Sequence, residues 1–445
     1  MTRLERMLAG TPYAGYAYAY PHKSAYRTLA PPVPLREAWA AEPRDALFLY
    51  LHVPFCEMRC GFCNLFTTAN PPEELVARYL DALEREAREV REALGPVRIT
   101  SLAVGGGTPT YLRPAELHRL FDVATELYGV RPGSLPVSVE TSPQTALPER
   151  LQVLRERGVT RVSMGVQSLV EAEVAAAGRA QKAEEVEAAL ERLQEWGFPA
   201  LNVDLIYGLP GQTNESWLRS LERVLRYSPA ELYLYPLYVR PLTGLDRRGA
   251  RTWDDLRLAC YRTGRDLLRS HGYRQVSMRM FQRDDTPAGA DEKRRDPVYC
   301  CQEDGMIGLG CGARSYTQSL HYSSEFAVER RGVRAILDDY VQRPAGSFGR
   351  AEHGVELDAE EQRRRYVIKS LLRVEGLSLE DYRQRFNSPA LEDLPELNEL
   401  PEHGLALIER GRLALTDTGL ERTDTLGPWL YSDAVRRRSE LAVLR

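Results

Sequence analysis

Residues 46–63 read ALFLYLHVPFCEMRCGFC, and this stretch decides how the rest of the chain is interpreted. Its first eight residues form an apolar run of strand length, and Cys56, Cys60 and Cys63 follow within one short loop. Three thiolates at this spacing suit soft metals, either iron in an iron–sulfur cluster or zinc. Structural zinc usually takes four protein ligands, and no nearby Cys or His completes such a set. We therefore predict a [4Fe–4S] cluster with one iron free of protein ligands.

Similar apolar runs recur along the chain and are separated by stretches with helical spacing. The runs begin at Ala46, Ile99, Pro136, Thr160, Ala200 and Glu231. Residues 74–94 place apolar side chains on one helical stripe, and 185–196 and 215–227 have a similar pattern. Strands that alternate with helices predict parallel βαβ units, so we expect an α/β fold with a partial (β/α)6 barrel of the TIM type. Functional side chains of such a barrel gather at the carboxyl ends of its strands.

The sequence divides into three predicted parts. Residues 1–45 form an aromatic and basic arm, 46–349 the barrel with a substrate-pocket extension, and 350–445 a small, mostly helical C-terminal domain. In the last part, the stretch from His403 predicts a helix, a two-stranded wing and another helix, as in winged-helix-like domains. Acidic residues are interleaved in this stretch, which favours packing or substrate capping over DNA binding.

The composition excludes several classes of protein. The chain has 59 Lys and Arg against 63 Asp and Glu, a net charge of −4 that excludes a strongly basic nucleic-acid binder. No stretch approaches the ~20 apolar residues of a membrane span, and the first residues lack the apolar core of a signal peptide. Seven cysteines, three of them in one loop, argue against an extracellular disulfide framework. We expect a cytoplasmic protein without nucleic-acid or membrane partners, and a monomer is the working expectation.

The cysteine loop resembles the C-x3-C-x2-C signature of the radical S-adenosylmethionine (SAM) superfamily. Four segments narrow this resemblance to the oxygen-independent coproporphyrinogen III dehydrogenase-like, or HemN-like, branch. They are YLHVPFC from Tyr50, GGGTPT from Gly105, GVQS from Gly165 and DLIYGLP from Asp204. The resemblance covers about residues 46–316 and implies a radical SAM barrel followed by a HemN-like C-terminal domain.

The resemblance also implies a cofactor set and a chemistry. The free iron of the cluster would chelate SAM, and an electron donor such as flavodoxin or ferredoxin would reduce the cluster. SAM would then yield a 5′-deoxyadenosyl radical, which abstracts hydrogen from the substrate. This branch can hold two SAM molecules, so we expect a second one, as either another radical source or a methyl donor.

The resemblance assigns site residues as well. Cys56, Cys60 and Cys63 are the expected cluster ligands and catalytic residues. The expected SAM-binding residues are Tyr50, Phe62, Gly105, Gly106, Gly107, Thr108, Glu140, Gln167, Arg179 and Asp204. Phe62 would pack near the adenine or serve as plain core, and Glu140 would bind a ribose hydroxyl or an ammonium group. Arg179 would pair with the SAM carboxylate, whereas Asp204 lies in an apolar strand and needs a partner.

Two departures from the relatives bear on function. The dehydrogenase typically carries a further cysteine where this chain has Leu65, which argues against porphyrinogen decarboxylation. Haem-binding relatives carry a His-Asn-x-x-Tyr-Trp stretch where this chain has Arg295 to Cys300, which argues against a haem chaperone. By elimination, we predict transfer of a SAM-derived one-carbon unit, by methylation or cyclopropanation, to an sp2 carbon of a small planar or peptidyl substrate. Oxidative decarboxylation of coproporphyrinogen III and haem trafficking are the alternatives.

Two further features have open roles. The arm contains several tyrosines, His22 and Lys23; it would either fold over the barrel mouth and stack on a planar substrate or pack as a surface arm. Cys300, Cys301 and Cys311 either contact substrate or a second SAM, or are inert buried thiols.

Overall fold

A computed structural model of the chain describes residues 1–284 and 303–441. The strands are β1 (Arg27–Pro34), β2 (Leu47–Val53), β3 (Phe55–Cys56), β4 (Thr68–Ala69), β5 (Ile99–Gly106), β6 (Val137–Thr141), β7 (Arg161–Gln167), β8 (Ala200–Tyr207), β9 (Glu231–Pro236), β10 (Tyr273–Gln275), β11 (Met280–Arg283), β12 (Met306–Leu309), β13 (Arg314–Tyr316), β14 (Leu320–Ser323), β15 (Arg350–Glu356), β16 (Leu377–Ser378), β17 (Ala406–Glu409) and β18 (Arg412–Leu415).

The α-helices are α1 (Arg3–Leu8), α2 (Leu35–Ala38), α3 (Glu73–Leu94), α4 (Pro114–Asp122), α5 (Pro148–Glu156), α6 (Glu171–Ala176), α7 (Ala183–Trp196), α8 (Asn214–Leu225), α9 (Gly244–Arg247), α10 (Asp254–Ser270), α11 (Arg330–Gln342), α12 (Ala359–Leu371), α13 (Leu379–Phe386), α14 (Ala390–Asp393), α15 (Glu399–Glu402), α16 (Asp417–Leu420), α17 (Thr423–Trp429) and α18 (Asp433–Glu440). In the described residues, none of these helices has the length and hydropathy needed to span a bilayer.

Six neighbouring strands form the parallel part of the barrel, in the order β2-β5-β6-β7-β8-β9. Each of the six apolar runs identified in the sequence coincides with one of these strands, and helices connect them. The predicted α/β class and the partial (β/α)6 barrel are therefore confirmed.

Helix α3 shows how the sequence produces these helical elements. Its first turn carries Glu73 and Glu74, which interact favourably with the helix dipole, and Gly95 ends it with a φ of 68°. Along its length one face is buried, including Leu83 and Leu94, while charged residues cover the remaining surface. Burial of that stripe, more than helix propensity, holds α3 against the barrel.

The sheet extends beyond the parallel strands on both sides. Next to β9, strands β11 and β10 add antiparallel pairs. Next to β2, strand β12 pairs in parallel and is followed by β13, β14, β15 and β1 in antiparallel order. Residues 295–301, which include Cys300 and Cys301, lie outside the described residues. Strand β15 lies in this sheet, although the predicted C-terminal domain begins at residue 350.

Strand β1 is the outermost strand on that side and comes from the N-terminal arm. It reads RTLAPPVP and pairs with β15, with Arg27 opposite Gly354 and Pro34 opposite Arg350. The register shifts between Thr28 and Val33, where two consecutive prolines, Pro31 and Pro32, lack the N–H groups that a regular ladder uses.

The C-terminal residues form a second hydrophobic core, to which the start of the chain contributes. Leu4, Ala17 and Tyr20 pack in this core against side chains of α12, α13 and α17. The predicted wing is the β17–β18 hairpin, and β16 adds a third strand. The winged, mostly helical C-terminal domain thus agrees with the prediction, while the division of the chain at residues 45 and 349 stays a prediction.

Candidate active site

The cysteine loop begins directly after β2, at the carboxyl end of the barrel strands, and its base is closed by a short parallel ladder. Strands β3 and β4 pair Cys56 with Ala69. The N–H of Thr68 donates to the carbonyl of Pro54 at 2.7 Å, and that of Asn70 donates to Cys56 at 2.9 Å. The loop is therefore fixed at both ends whether or not anything binds between them.

Gly61 packs the loop tightly against two other segments. Its N–H donates to the carbonyl of Ala177 at 3.0 Å, and its own carbonyl accepts from the N–H of Leu245 at 2.8 Å. A Cβ atom at Gly61 would lie 2.6 Å from the Ala177 oxygen, so a larger residue would push the loop away. The glycine between Cys60 and Phe62 is thus required by this close approach.

Each of the three thiols has one polar neighbour. The Thr108 hydroxyl donates to Cys56 Sγ at 3.7 Å, Arg179 Nη1 donates to Cys60 Sγ at 3.2 Å, and Thr67 Oγ1 lies 3.9 Å from Cys63 Sγ. The cysteines are free and partly exposed. Burial raises the pKa of the Cys56 and Cys60 thiols, which the Arg179 charge opposes at Cys60. A bound metal would keep such thiols ionised.

The donor set fits a cluster better than a single metal ion. Among the described residues, no group of three or more His, Cys, Asp or Glu side chains converges closely enough to hold one ion. A [4Fe–4S] cluster instead takes one thiolate at each of three irons, so its ligands need not converge on a point. Cys56, Cys60 and Cys63 would hold that cluster.

The glycine run at the end of β5 brings this strand into contact with the cysteine loop. The N–H of Gly107 donates to Val53 at 2.8 Å and that of Thr108 to Phe55 at 2.7 Å. A Cβ atom at Gly107 would lie 2.9 Å from Cys56 Sγ, and one at Gly106, which has a φ of 115°, would lie 2.5 Å from the His52 ring. The family resemblance assigned these glycines to SAM binding. The structure shows that packing at the cysteine loop already requires glycine at these positions.

Two acidic side chains, Glu140 and Asp204, line the barrel interior and are called the barrel carboxylates below. Glu140 accepts from the N–H of Gly106 at 3.0 Å, while Asp204 accepts from Asn202 at 2.8 Å and from the Ser163 hydroxyl at 3.4 Å. Asn202 and Ser163 are thus the hydrogen-bond partners that Asp204 needs in its apolar strand. Burial raises the pKa of Glu140 to about 7 and that of Asp204 to about 6. Burial outweighs the charge of Arg161, which opposes the rise at both side chains.

Arg179 and Gln167 lie next to the cysteine loop and the end of β7. Besides Cys60, the Arg179 guanidinium donates to the carbonyl of Gly165 at 2.8 Å and to Gln181 Oε1 at 2.7 Å. Gln167 has a φ of 67° at an irregular point of the β7–β8 ladder, and its amide nitrogen would be 2.8 Å from a Cβ on Gly165. Arg179 thus lies beside the cluster loop and Gln167 beside Gly165 at the end of β7, and their contacts with SAM stay predictions.

Tyr50 and Phe62 contact other side chains of the protein, and neither contacts a cysteine of the loop in the hydrogen bonds and packing described below. The Tyr50 hydroxyl lies 3.2 Å from Nδ1 of His52, whose Nε2 is 3.2 Å from the carbonyl of Phe66. Burial lowers the pKa of His52 to about 4, so this ring is neutral and fills space beneath the loop. Phe62 packs with Ile206 and other apolar side chains, as expected of a core residue.

A group of basic side chains near Cys63 was only partly anticipated from the sequence. His22 and Lys23 come from the arm, Arg240 follows β9, and Arg314 begins β13. Lys23, Arg240 and Arg314 are called the mouth cations below. Lys23 Nζ donates to the carbonyl of Asn64 at 3.3 Å and lies 3.3 Å from the centre of the Phe326 ring.

The mouth cations act on one another. Burial lowers the pKa of Lys23 well below its usual value, and the charges of Arg314 and Arg240 lower it further. The same two charges and that of Lys23 add to the effect of burial on His22. The charge of Cys63 opposes these effects at Lys23. Arg240 and Arg314 could have been noticed in the sequence because each lies near the end of a strand. No pattern of neighbouring residues, however, indicates that the two side chains come together in the fold.

The arm, the barrel and the C-terminal domain join beside these cations. Both oxygens of the buried Asp424 accept from the Arg279 guanidinium at 2.6 Å, and the Tyr238 hydroxyl also donates to Asp424. The rings of Tyr16 and Tyr18 lie 4.9 and 4.7 Å from that guanidinium. The arm therefore lies against the barrel, whereas stacking on a substrate stays a prediction.

The remaining cysteines were also assigned from the sequence. Cys311 is 1% exposed, and its thiol is 3.9 Å from the Ser324 hydroxyl, so it matches the interpretation as a buried thiol.

Comparison with known proteins identifies the class. Residues 50–224 match the radical SAM superfamily, and residues 357–421 match the HemN C-terminal domain. The oxygen-independent coproporphyrinogen III oxidase of Escherichia coli (strain K12) is 29% identical over 397 residues, which cover 86% of this chain and 85% of the relative. The heme chaperone HemW of Bacillus subtilis (strain 168) is 28% identical over 379 residues, covering 83% and 95%. The solved structure of coproporphyrinogen III oxidase (HemN) from Escherichia coli has a TM-score of 0.77 at 26% identity, over 92% of this chain and 97% of that one.

The cysteine loop, the barrel and these matches define a radical SAM enzyme. Within that class the HemN C-terminal domain and the similarity to HemN over most of the chain support the HemN-like branch. A [4Fe–4S] cluster and SAM are the cofactors of the class, which confirms that part of the prediction. The second SAM stays a prediction. The relatives do not support the predicted one-carbon transfer and instead carry the names of the two alternatives.

Proposed function

We propose that this chain oxidatively decarboxylates a carboxylate-bearing tetrapyrrole of the coproporphyrinogen III type. The observation that carries the proposal is the group of mouth cations next to Cys63. The similarity to coproporphyrinogen III oxidases over 86% of the chain supports it independently.

The mouth cations are arranged as an anion site. Lys23, Arg240 and Arg314 are close enough for their charges to act together, and burial of like charges is costly unless an anion offsets it. A substrate with several propionate groups would supply such anions, and the planar fork of arginine fits a carboxylate well. Arg240 is held for this role by the Tyr238 ring, 4.3 Å from its guanidinium carbon.

Aromatic side chains provide a surface for pyrrole rings. Tyr233 and Tyr235 on β9 are stacked, with centroids 5.8 Å apart and an interplanar angle of 17°. Asp204 and Tyr16 both lie close enough to Tyr235 to influence its hydroxyl, so this ring lies near the barrel carboxylates and the arm. Rings at this position would contact a flat substrate whose carboxylates reach the mouth cations.

Different residues would bind the cofactor and the substrate. When bound, the cluster and SAM supply the 5′-deoxyadenosyl radical that removes hydrogen from the substrate. Glu140 and Asp204 would accept hydrogen bonds from ribose hydroxyls or the ammonium group of SAM, and Arg179 would hold its carboxylate. The arm would exclude water from the mouth while the mouth cations orient a propionate.

One observation favours a second candidate function. Leu65, at the position where the dehydrogenase typically has a cysteine, is 48% exposed and cannot replace a thiol. A chain that lacks this group but keeps the anion site could transfer a one-carbon unit to a carboxylate-bearing planar substrate. This is the runner-up because relatives similar over most of the chain are named as a coproporphyrinogen III oxidase and a heme chaperone.

An anaerobic assay with reduced enzyme, SAM and coproporphyrinogen III tests the proposal. We expect carbon dioxide release together with 5′-deoxyadenosine. S-adenosylhomocysteine with a product one carbon heavier would instead establish the second candidate. Haem binding without SAM cleavage would point to trafficking and overturn both.

Two variants test the anion site directly. Lys23→Ala and Arg240→Ala should each raise KM for the carboxylated substrate by roughly tenfold or more, because each removes a charge-assisted hydrogen bond. Arg219→Ala is the matched control, since Arg219 is an exposed arginine on α8 that pairs only with Glu215 at 3.2 Å among the ion pairs of the described residues. An unchanged KM in both mouth variants would remove the observation on which the proposal depends.

A further inference from the structure

A cavity of about 830 Å³ has no part in the site described above, and none of its lining residues belongs to the six parallel strands of the barrel. Residues of helices α3 and α11 and of strands β12, β13, β14 and β15 line it. It is called the outer cavity below, and Val90, Ile336 and Tyr322 are among its lining residues. Its volume lies within the roughly 300–1,000 Å³ that small-molecule sites usually have.

One strand separates the outer cavity from the mouth cations. Ser315 of β13 lines the cavity, whereas the charge of its neighbour Arg314 acts on Lys23 at the mouth. Successive side chains of a strand point to opposite faces of the sheet. The outer cavity and the proposed substrate site therefore lie on opposite faces of β13, and a molecule bound in one does not occupy the other.

Glu86 of α3 lines the outer cavity, and one of its two carboxylate oxygens has no hydrogen-bond partner among the described residues. Its Oε2 accepts from the N–H of Gly310 at 2.7 Å and from the Tyr340 hydroxyl at 2.7 Å, and both donors are neutral. Its Oε1 accepts from neither of them and is not a fully buried atom. Burial raises the pKa of Glu86 to about 7, so its ionised form is costly without a further partner.

The arginines that line the outer cavity do not pair with this carboxylate. Arg331 and Arg350 are exposed, so water solvates their charges. The charge of Arg343 opposes the rise in the pKa of Glu86, but its guanidinium forms an ion pair with Glu352. Within the described part of the chain, no ion pair joins any of these arginines to Glu86. A cation that enters the cavity would therefore find the Oε1 atom of Glu86 available.

Apolar and aromatic side chains also line the outer cavity. Leu35 and Val90 are buried, as are the rings of Tyr322 and Phe348. The Trp39 indole donates to the Tyr322 hydroxyl at 3.0 Å, which holds this ring in place. A ligand with a hydrocarbon body would remove this apolar surface from water, which favours binding.

We propose that the outer cavity binds an organic ammonium ion with an aromatic or aliphatic body. The ammonium group would donate to Oε1 of Glu86, and the body would pack against Val90, Tyr322 and Phe348. The carboxylate selects a cation over a ligand that carries a carboxylate of its own, which Glu86 would repel. The inference is independent of the tetrapyrrole proposal, because the two sites share no residue.

Three probes with the same phenyl body and different head groups test the inference. They are 2-phenylethylammonium, 2-phenylethanol and 3-phenylpropionate, each titrated into anaerobically prepared holoenzyme at pH 8 and followed by isothermal titration calorimetry. We expect the ammonium ion to bind roughly tenfold or more tightly than the alcohol, because its hydrogen bond to Glu86 is charge-assisted. The carboxylate should bind least. Equal affinity for the ammonium ion and the alcohol, a preference for the carboxylate, or no binding at all would overturn the proposal.

A pair of variants on one helix tests the role of the carboxylate. In Glu86→Gln the side-chain oxygen can still accept from Gly310 and Tyr340, while the amide nitrogen takes the place of the free oxygen. The preference for the ammonium ion over the alcohol should disappear. Glu84→Gln is the matched control, since Glu84 also lies on α3 but pairs with Arg88 at 2.6 Å and does not line the cavity. It should bind all three probes as the wild type does, and an ammonium preference that survives in Glu86→Gln would refute the assignment.

Two measurements on the unaltered protein locate the probe even if the Glu86 variant does not fold. Crystals soaked with the 4-bromo derivative of the ammonium probe should show bromine in the outer cavity by anomalous scattering. Saturating SAM should not displace the ammonium probe in solution. Bromine inside the barrel, or displacement by SAM, would assign the binding to the cofactor site and contradict the proposal.

Discussion

The barrel carboxylates and the mouth cations are both partly buried, but the protein surrounds them with different partners. Glu140 and Asp204 accept hydrogen bonds from neutral donors, and burial raises their pKa values to about 7 and 6. Lys23 and Arg240 instead lie among other cations, and burial lowers the pKa of Lys23. In each region the charged form of these side chains is thus costly until a ligand of opposite charge binds. The difference indicates a cationic or hydroxyl-bearing ligand inside the barrel and an anionic one at its mouth.

The largest expected effect comes from removing the centre on which both regions depend. Replacement of Cys56, Cys60 and Cys63 by Ala should abolish the brown absorbance of the cluster and the cleavage of SAM together. The fold should persist, because the base of the loop is closed by the β3–β4 ladder. Visible absorbance and 5′-deoxyadenosine formation are measured side by side.

Cys260→Ala is the control for this triple variant, since Cys260 is fully buried on α10 away from the loop. It should keep both the absorbance and the cleavage. SAM cleavage that survives in the triple variant would refute the assignment of the three ligands.

An intermediate effect should distinguish the barrel carboxylates through the pH dependence of stability. The pKa of Glu140 rises from 4.5 to about 7 on folding, so its favourable contribution is complete below pH 4.5 and is lost as the pH rises through 7. Without ligands, the wild type should therefore lose about 3 kcal/mol relative to Glu140→Gln across this range. Denaturant unfolding at a series of pH values measures the difference. Parallel pH profiles for the two proteins would contradict it.

A smaller effect should follow from Tyr238→Phe. This change weakens the packing that positions Arg240, one of the mouth cations, and does not alter the barrel carboxylates. The variant keeps the ring beneath Arg240 but loses the hydroxyl that donates to Asp424 and accepts from Arg279 at 2.9 Å. We expect a loss of about 1 kcal/mol in the free energy of unfolding and a modest rise in KM for the carboxylated substrate. An increase in KM without any loss of stability would mean that the hydroxyl contacts the substrate itself.

The parts of the fold that the sequence predicted are those set by local patterns. Six apolar runs, the stripe on α3 and the cysteine loop each lie within about twenty residues, so periodicity and spacing were sufficient. The pairing of β1 with β15 brings Arg27 opposite Gly354, and no local pattern reports a contact over that separation. For this reason the arm was predicted as an attachment, although it supplies a strand to the main sheet.

The same reason explains which residues of the site could be predicted from local patterns and which could not. Glu140 and Asp204 stand out as polar residues in apolar strands, so both were candidates. The mouth cations come from three distant segments and become a group only in the folded chain. Without them, the choice between functions depended on two departures from the relatives, at Leu65 and at residues 295–300, and this elimination led to one-carbon transfer as the first prediction.

The prolines of β1 have a consequence for how the molecule meets its own copies. An open sheet ends in unpaired backbone groups that invite another strand, and this one ends on one side in a strand containing Pro31, Pro32 and Pro34. Since proline has no N–H to offer, that side is a poor template for further strands. The opposite side ends in β10, only three residues long. Both borders of the sheet therefore resist edge-to-edge aggregation, a safeguard built into the same segment that brings Lys23 to the barrel.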